Sequence, residues 1–414
     1  MPVLVLDGHS RAAIETLQSL GRAGLEVDVA TGPEDCLATR SSYAAKRLLQ
    51  PSPCSHGEFL SWLRAADTQR NYEMIVPATE SSLLGVRRLE PADPLRRKAV
   101  LPGDEALDIA LDKQRTWQLA RELNVPVPQS VFLSSPDDLG QAGEFPLALK
   151  PVRSKIVVEG EMRTLAVVIV KNESERREQL RGWLPFTPLL QQQYVFGRGI
   201  GAEFLFDHGR KVWRFAHERL HEFPLSGGAS SYRRSIEPPA RLWADAEKLL
   251  VALRWHGVAM VEFKLDGNGQ HWLMEINPRL WGSLALAIDA GVDFPLGLLR
   301  LARGERIPPQ PAYRTNCYAR DLRTDAEWFK ANLRADQHDR LLLTKSRMFS
   351  LVEVLRPLTG RESWDHFDWR DLGTTRRILA LTLRDQFQPL SRMFQNRRKK
   401  KQLLRQHGAA STVD

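Results

Sequence analysis

The chain of 414 residues has three cysteines, Cys36, Cys54 and Cys317. No CxxC pair is present and no cysteine neighbours a histidine pair, which excludes a disulfide framework and a cysteine zinc site. The three read as free thiols of a reducing compartment. No apolar run reaches the roughly 20 residues that span a bilayer. The N-terminus lacks the basic-then-apolar pattern of a signal peptide. The expectation is therefore a cytoplasmic protein, in which the Asn172-Glu173-Ser174 sequon is without consequence. Walker A and GxGxxG patterns are missing, so nothing points to a P-loop or to NAD or FAD. No internal repeat stands out. Acidic residues are outnumbered by basic ones, giving a net charge of +9. That excess suggests an anionic partner, such as a nucleotide, an acidic substrate, a membrane surface or nucleic acid. Much of it sits at the C-terminal end and need not describe an active site. The length allows two or three domains with real cores.

What is present centres on residues 257–283. Gly257–Leu265 and Gln270–Ile276 read as strands joined at Asn268-Gly269, a pair that tolerates the positive φ of a type I′ turn. If those two residues fill the turn, Glu262 lies directly opposite Glu275, and Asn277 points to the same face. Two opposed carboxylates repel across a hairpin. The arrangement makes sense if a divalent cation sits between them, since Mg²⁺ takes oxygen ligands from a few carboxylates and substrate phosphates. Glu262, Glu275 and Asn277 form such a set for Mg²⁺ or Mn²⁺. A merely solvated acidic face is the competing reading, and Arg279 at the exit of the second strand favours metal and phosphate.

The rest of the chain reads as α/β and α+β. Pro2–Leu6, a helix over Arg11–Arg22 and Leu25–Ala30 make a βαβ opening and imply a parallel, doubly wound sheet. Helices at Gly57–Ala66 and near Ser81–Leu89 flank a strand at Tyr72–Val76. The turns Asp7–Ser10 and Ala78–Ser81 lie where open α/β sheets place ligands, and the first could bind a carboxylate or phosphate at a helix start. An ordinary capped turn serves equally well. Asp112-Lys113 opens a helix to Leu123. Phe145–Lys150 is a buried strand, and its terminal lysine must reach water or an anion. Arg153–Arg163 reads as a polar connection, then Leu165–Lys171 and Leu189–Val195 as strands. The GRGIG segment at 197–201 is expected to be a flexible connector before a strand at Ala202–Phe206. After a strand at Lys211–His217, residues 217–234 suit an anion-binding loop, or else a solvated one, with Arg219, Ser230 and Arg233 as candidate substrate contacts. Arg241–Leu253 is an amphipathic helix.

In order, Asp112-Lys113, Ala148-Leu149-Lys150-Pro151, Gln192-Gln193-Tyr194-Val195, VEFK at 261–264 and MEINPR at 274–279 resemble the ATP-grasp superfamily. The last segment is most similar to carbamoyl-phosphate-synthase-type and biotin-carboxylase-type members. The resemblance spans about Lys113 to Gly304 and implies three parts. These are a pre-ATP-grasp domain over 1–111, a two-lobed ATP-grasp domain over 112–305 and a mainly helical C-terminal extension over 306–414. It implies that Lys113 and Lys150 contact ATP phosphates and that Gln192, Gln193, Tyr194 and Val195 hold the adenine. Glu262, Glu275 and Asn277 would bind one or two Mg²⁺, and Arg279 would hold a carboxylate or its acyl-phosphate. The reaction implied is phosphoryl transfer to a carboxylate followed by attack of an amine. Two features depart from the family: Val152–Thr164 contains only Gly160, and Gln193 stands where a Glu is common.

Two other outcomes stay open. One is bicarbonate-dependent carboxylation or carbamoyl formation through carboxyphosphate. The other is a non-catalytic nucleotide-binding adaptor at a membrane surface. The C-terminal region begins after a proline-rich boundary at 307–311. Tyr318–Asp321 reads as a strand, Asp325–Arg334 as a helix, and Trp364–Asp371 as an aromatic-acidic packing segment, with a metal site the minor reading. Leu379, Leu383, Phe387, Leu390 and Phe394 share a helical face interrupted at Pro389, and a basic run follows at 397–401. That combination suits either packing on the protein, with a basic tail beyond, or docking on an anionic inner-membrane surface. No aromatics interleave with the basic run, so nucleic acid is not expected. A homo-oligomer is compatible with the sequence.

Overall fold

Residues 1–33, 36–135, 143–158, 161–310, 312–360 and 362–385 are described by a computed structural model of the chain. Short strands and helices make up the start: β1 (Val3–Val5), α1 (Arg11–Arg22), β2 (Val27–Thr31), β3 (Ala44–Leu49), α2 (His56–Arg70), β4 (Met74–Val76) and α3 (Glu80–Arg87). The strands are parallel in the order β3-β2-β1-β4. Strand β3 carries no alternating pattern in AAKRLL and is largely exposed at the sheet edge, so nothing in the sequence marked it. Progression reverses between β1 and β4, which opens a crevice at the C-terminal ends of those strands. Helices α4 (Pro94–Arg97), α5 (Asp104–Ala110) and α6 (Lys113–Glu122) lead onward. The Asp112 side chain caps α6 by accepting from Gln114 N and Arg115 N.

A small lobe follows: β5 (Ser130–Leu133), β6 (Leu147–Pro151), a hairpin of β7 (Lys155–Val158) and β8 (Glu161–Thr164), β9 (Val168–Val170), α7 (Glu173–Trp183) and β10 (Leu189–Gln193). Its antiparallel sheet runs β5-β10-β6-β9. The expected polar connection at 153–163 is thus a β-hairpin; Gly160 lies outside the described residues.

The large lobe holds β11 (Gly197–Asp207), β12 (Arg210–Phe223), β13 (Ala229–Ser235), α8 (Ala240–Ala252), β14 (Gly257–Asp266), β15 (His271–Asn277), α9 (Leu284–Ala290) and α10 (Phe294–Ala302). Beyond it come β16 (Tyr318–Arg320), α11 (Leu322–Arg334), α12 (Arg347–Glu353) and β17 (Glu362–Trp364). Seven strands share one sheet, in the order β15-β14-β11-β12-β13-β16-β17. The C-terminal part is therefore more than helical, because β16 and β17 extend that sheet.

Two expected loops are strands. GRGIG is the first part of β11, paired along its length with β14; its glycines serve close approach, as described below. Most of 217–234 belongs to β12 and β13, whose cross-strand ladder satisfies backbone groups that a loop would leave to solvent.

One continuous core joins the first sheet to the large lobe. Ile14, Leu17 and Leu20 of α1 pack with Trp213 and Phe215 of β12 and with Leu284, Phe294 and Leu298 of α9 and α10. The small lobe has its own core around Leu133, Leu149, Leu180 and Leu189. The start of α1 is thereby fixed against the large lobe, while the small lobe is packed separately. No helix among the described residues is long and apolar enough to cross a membrane. Residues 372–385 are helical, with Leu379 and Leu383 exposed. Phe387, Pro389, Leu390, Phe394 and the basic run at 397–401 lie outside the described residues.

Candidate active site

The hairpin of β14 and β15 does oppose Glu262 to Glu275, but by another route than a two-residue turn. Asp266 pairs with Gln270, its N–H donating to the Gln270 carbonyl at 2.9 Å, and Gly269 N donates to Asp266 O at 3.1 Å. Gly269 takes φ 80°. This is a three-residue loop with glycine in the left-handed position. Asp266 selects it, since its Oδ1 accepts from Asn268 N at 2.9 Å and Gln270 N at 3.0 Å while Oδ2 accepts from Trp272 Nε1 at 2.9 Å. The longer loop alone would misalign the two glutamates. A bulge at Met274, between the Phe263–Leu273 and Glu262–Glu275 pairs, restores their alignment.

Asn277 bridges the two carboxylates, its Nδ2 lying 3.0 Å from Oε1 of each. Turning the amide by 180° about its last torsion presents Oδ1 to the same point, completing an oxygen ligand set for a hard cation. Burial is the largest influence on both carboxyls and pushes them up. Glu262 is raised by it, with the nearby Glu275 charge adding to the effect and Arg219 opposing it. For Glu275, Lys113, the Asn277 hydrogen bond and Lys150 outweigh burial and hold it below the usual range. Two facing carboxylates that compete for protons, bridged by an amide, fit a divalent cation.

Cations surround this pair. Arg219 Nη2 lies 2.5 Å from Glu262 Oε2. Lys113 Nζ donates to Ser154 Oγ at 2.9 Å and stands 3.9 Å from Glu275 Oε2. Lys150, at the end of β6, is buried and donates to Gln192 Oε1 at 2.6 Å. Burial, followed by the Lys113 and Lys264 charges, outweighs the two glutamates and pushes Lys150 down to about 8. Arg279 donates to its neighbour's carbonyl, Leu280 O, at 2.9 Å.

These residues line a cleft of about 480 Å³ between the two lobes. Gln192, Gln193, Tyr194 and Val195 form its edge where β10 crosses to β11. Lys264, which the sequence reading left without a role, stands 4.4 Å over the Tyr194 ring and donates to Val195 O at 3.0 Å. Its position two residues from Glu262 on one strand was the available signal.

Of the three candidate substrate contacts, Ser230 lines the cleft. Arg219 also lines it but is engaged with Glu262. Arg233 does not line the cleft; it is fully buried, with Nη2 2.5 Å from Asp365 Oδ1. Its cross-strand pairing with Arg219 places it on the same sheet face but further from the carboxylates.

Arg11 and Glu203 carry no expectation from the sequence, and His217 enters it only as the first residue of the expected 217–234 loop. Arg11 enters from the start of α1, donating to Ser230 O at 3.1 Å, with Asp321 Oδ2 at 3.5 Å. A Cβ at Gly282 would come within 2.9 Å of its guanidinium. His217 Nδ1 lies 2.5 Å from Glu203 Oε1 in a fully buried pair. Burial raises Glu203 far above the carboxylate range and lowers His217 far below the imidazole range. Both groups are therefore held neutral, and His217 turns Nε2 away from Glu203. That nitrogen has no partner among the described residues, and His217 lines the cleft. A Cβ at Gly201 would come within 2.4 Å of the His217 ring, and one at Gly199 within 2.8 Å of the Arg219 side chain. These glycines let both side chains lie flat across β11.

The metal reading of the Trp364–Asp371 segment is not needed to explain its acids. Asp365 holds Arg233, while His366 Nδ1 is 2.7 Å from Glu15 Oε1. Asp371 accepts from Ser41 Oγ at 2.6 Å and Gln18 Nε2 at 3.1 Å.

Residues 186–323 match a family described as ATP-grasp in the biosynthetic pathway with Ter operon. Among solved structures, a biotin carboxylase complex with β,γ-ATP from Campylobacter jejuni is similar at 19% identity and TM-score 0.60, covering 76% of this chain and 74% of that one. N5-carboxyaminoimidazole synthetase from Staphylococcus aureus is similar at 16% identity and TM-score 0.60, covering 78% and 82%. An L-amino acid ligase from Bacillus licheniformis is similar at 15% identity and TM-score 0.56, covering 73% and 74%.

Proposed function

We propose that this chain, which has the ATP-grasp fold, is an ATP-dependent ligase that activates a carboxylate as an acyl-phosphate and joins it to an amine. The observation that carries the reading is the Glu262–Glu275 pair, bridged by Asn277 and ringed by Lys113, Lys150, Arg219 and Arg279.

In this reading ATP lies in the cleft with its adenine against Gln192–Val195 and its phosphates toward Lys113 and Lys150. Glu262, Glu275 and Asn277 would hold Mg²⁺, which would supply positive charge to offset that on the transferring phosphoryl group. Arg279 orients the substrate carboxylate. One carboxylate oxygen attacks the γ-phosphorus in line, the bond to the β,γ-bridging oxygen breaks, and ADP departs. The amine nitrogen then attacks the acyl carbon, phosphate leaves, and the amine proton departs with it. Separate packing of the small lobe suits closure over the nucleotide, which excludes water from the acyl-phosphate. The ligase neighbour supports an amine acceptor.

The test uses hydroxylamine, which traps acyl-phosphates as hydroxamates. Purified protein with MgATP and a panel of carboxylic acids should yield ADP, phosphate and a hydroxamate with at least one acid. Glu275→Ala should abolish that turnover. ATP cleavage that depends on bicarbonate instead, with no hydroxamate from any acid, would transfer the reading to carboxylation.

A further inference from the structure

A second cavity, of about 440 Å³, adjoins the cleft and shares Glu275, Asn277 and Arg279 with it. It occupies the crevice between β1 and β4. Ser10–Ala12 at the start of α1 and Ala78–Glu80 at the start of α3 form one wall, and Ser154 and Lys155 of the small lobe form another. Asp7 ties the two turns together. Its Oδ2 accepts from Thr79 N at 2.9 Å and from the Ser82 hydroxyl, and its Oδ1 accepts from Gln50 Nε2 at 2.9 Å. The floor is therefore built, and the first turns of two helices open onto it with partial positive charge.

The charges lining this space do not balance. Arg11, Lys113, Lys155 and Arg279 face Glu80 and Glu275, and Glu275 already belongs to the bridged carboxylate pair. A single reacting carboxylate would answer Arg279. Lys113 is directed to Ser154 and Glu275. That leaves Lys155, bonded to the Ser81 hydroxyl, and Arg11, whose acid partner Asp321 is 3.5 Å away. Even with Glu80 on the wall and Asp321 paired to Arg11, the lining cations outnumber the lining acids, and Arg11 and Lys155 are placed to meet an anion that enters.

Resting on the ligase reading above, we infer that the substrate acid carries a second anionic group, a carboxylate or a phosphate. Arg11 and Lys155 hold it over the first turns of α1 and α3, while the first carboxylate reacts beside Arg279.

Matched acids test this by calorimetric titration into protein saturated with Mg²⁺ and a non-hydrolysable β,γ-methylene ATP analogue. Succinate is compared with butyrate, and 3-phosphoglycerate with glycerate. The member carrying the second anionic group should bind about tenfold tighter or more in at least one pair. Preference in the first pair identifies a carboxylate and preference in the second a phosphate. Arg11→Ala and Lys155→Ala should each remove the preference. Lys155→Gln, which keeps a partner for Ser81, should remove it as well and guards against a folding defect. Equal binding within both pairs, or a preference that survives the variants, overturns the inference. Hydroxamate formation is scored separately: such a preference with no hydroxamate from any acid refutes the ligase reading and not this one.

Discussion

At the residue scale, Lys150 ties the site to pH. Its ammonium is buried at the end of β6, and burial brings its pKa down to about 8. Bound phosphates favour the charged form, so ATP binding takes up a proton wherever free Lys150 is neutral. MgATP affinity should be constant below pH 8 and fall by up to about tenfold per pH unit above it. Titrations from pH 6.5 to 9.5 measure this, and Lys150→Met should show weak, pH-independent binding; a wild-type curve flat to pH 9.5 would exclude the assignment. Gly201 offers a second check. A side chain there meets the His217 ring at 2.4 Å, so Gly201→Ala should displace His217 at a cost of about 1–3 kcal/mol. His217→Phe removes the partner of buried Glu203 as well as the Nε2 donor, so it should lower both turnover and stability, the latter by about 1–3 kcal/mol. Denaturation midpoints beside phosphate-release rates separate the two effects.

At the element scale, the β14–β15 hairpin shows what sequence can and cannot convey. Alternating residues around Asn268-Gly269 announced the hairpin and the facing glutamates. They did not announce the loop, because the choice rests on Asp266 accepting from two backbone amides and Trp272. Nor did they announce the Met274 bulge, whose effect appears only in the register. The GRGIG stretch was misread because glycine is a local breaker. Here Gly199 and Gly201 answer side chains brought from β12, and Gly197 answers the backbone of β14, all set by pairing that no local pattern encodes. Arg11 was invisible for the same reason, lying more than 200 residues from the Ser230 carbonyl it holds. Lys113, Lys150 and the 192–195 edge were legible because each sits at an element end with its own local signal. Gly269 has open space where a side chain would project, but its φ is +80°. Gly269→Val should therefore destabilise the fold by about 1–2 kcal/mol through backbone strain alone. MgATP affinity at low temperature should stay unchanged, as thermal melts with and without nucleotide would reveal.

At the scale of the whole molecule, the C-terminal segment fastens the first sheet to the large lobe. Asp365 pairs with Arg233 of β13, while His366 and Asp371 reach Glu15, Gln18 and Ser41. Removing Asp365 leaves a fully buried guanidinium without its carboxylate. Asp365→Ala should cost about 3–5 kcal/mol and make residues 362–385 accessible to protease before the lobes unfold. Resistance equal to that of the unaltered protein would show that this segment is not a fastening. The same attachment holds α1 against the large lobe and so keeps Arg11 over Gly282.

The central claim is that Glu262, Glu275 and Asn277 bind ATP through a divalent cation. The direct measurement is the dependence of ATP affinity on Mg²⁺ concentration, by calorimetry, in the unaltered protein and in the double variant Glu275→Gln, Asn277→Ala. The account predicts that Mg²⁺ strengthens ATP binding about tenfold or more in the former and has little effect in the latter. Equal Mg²⁺ dependence in both proteins would contradict it.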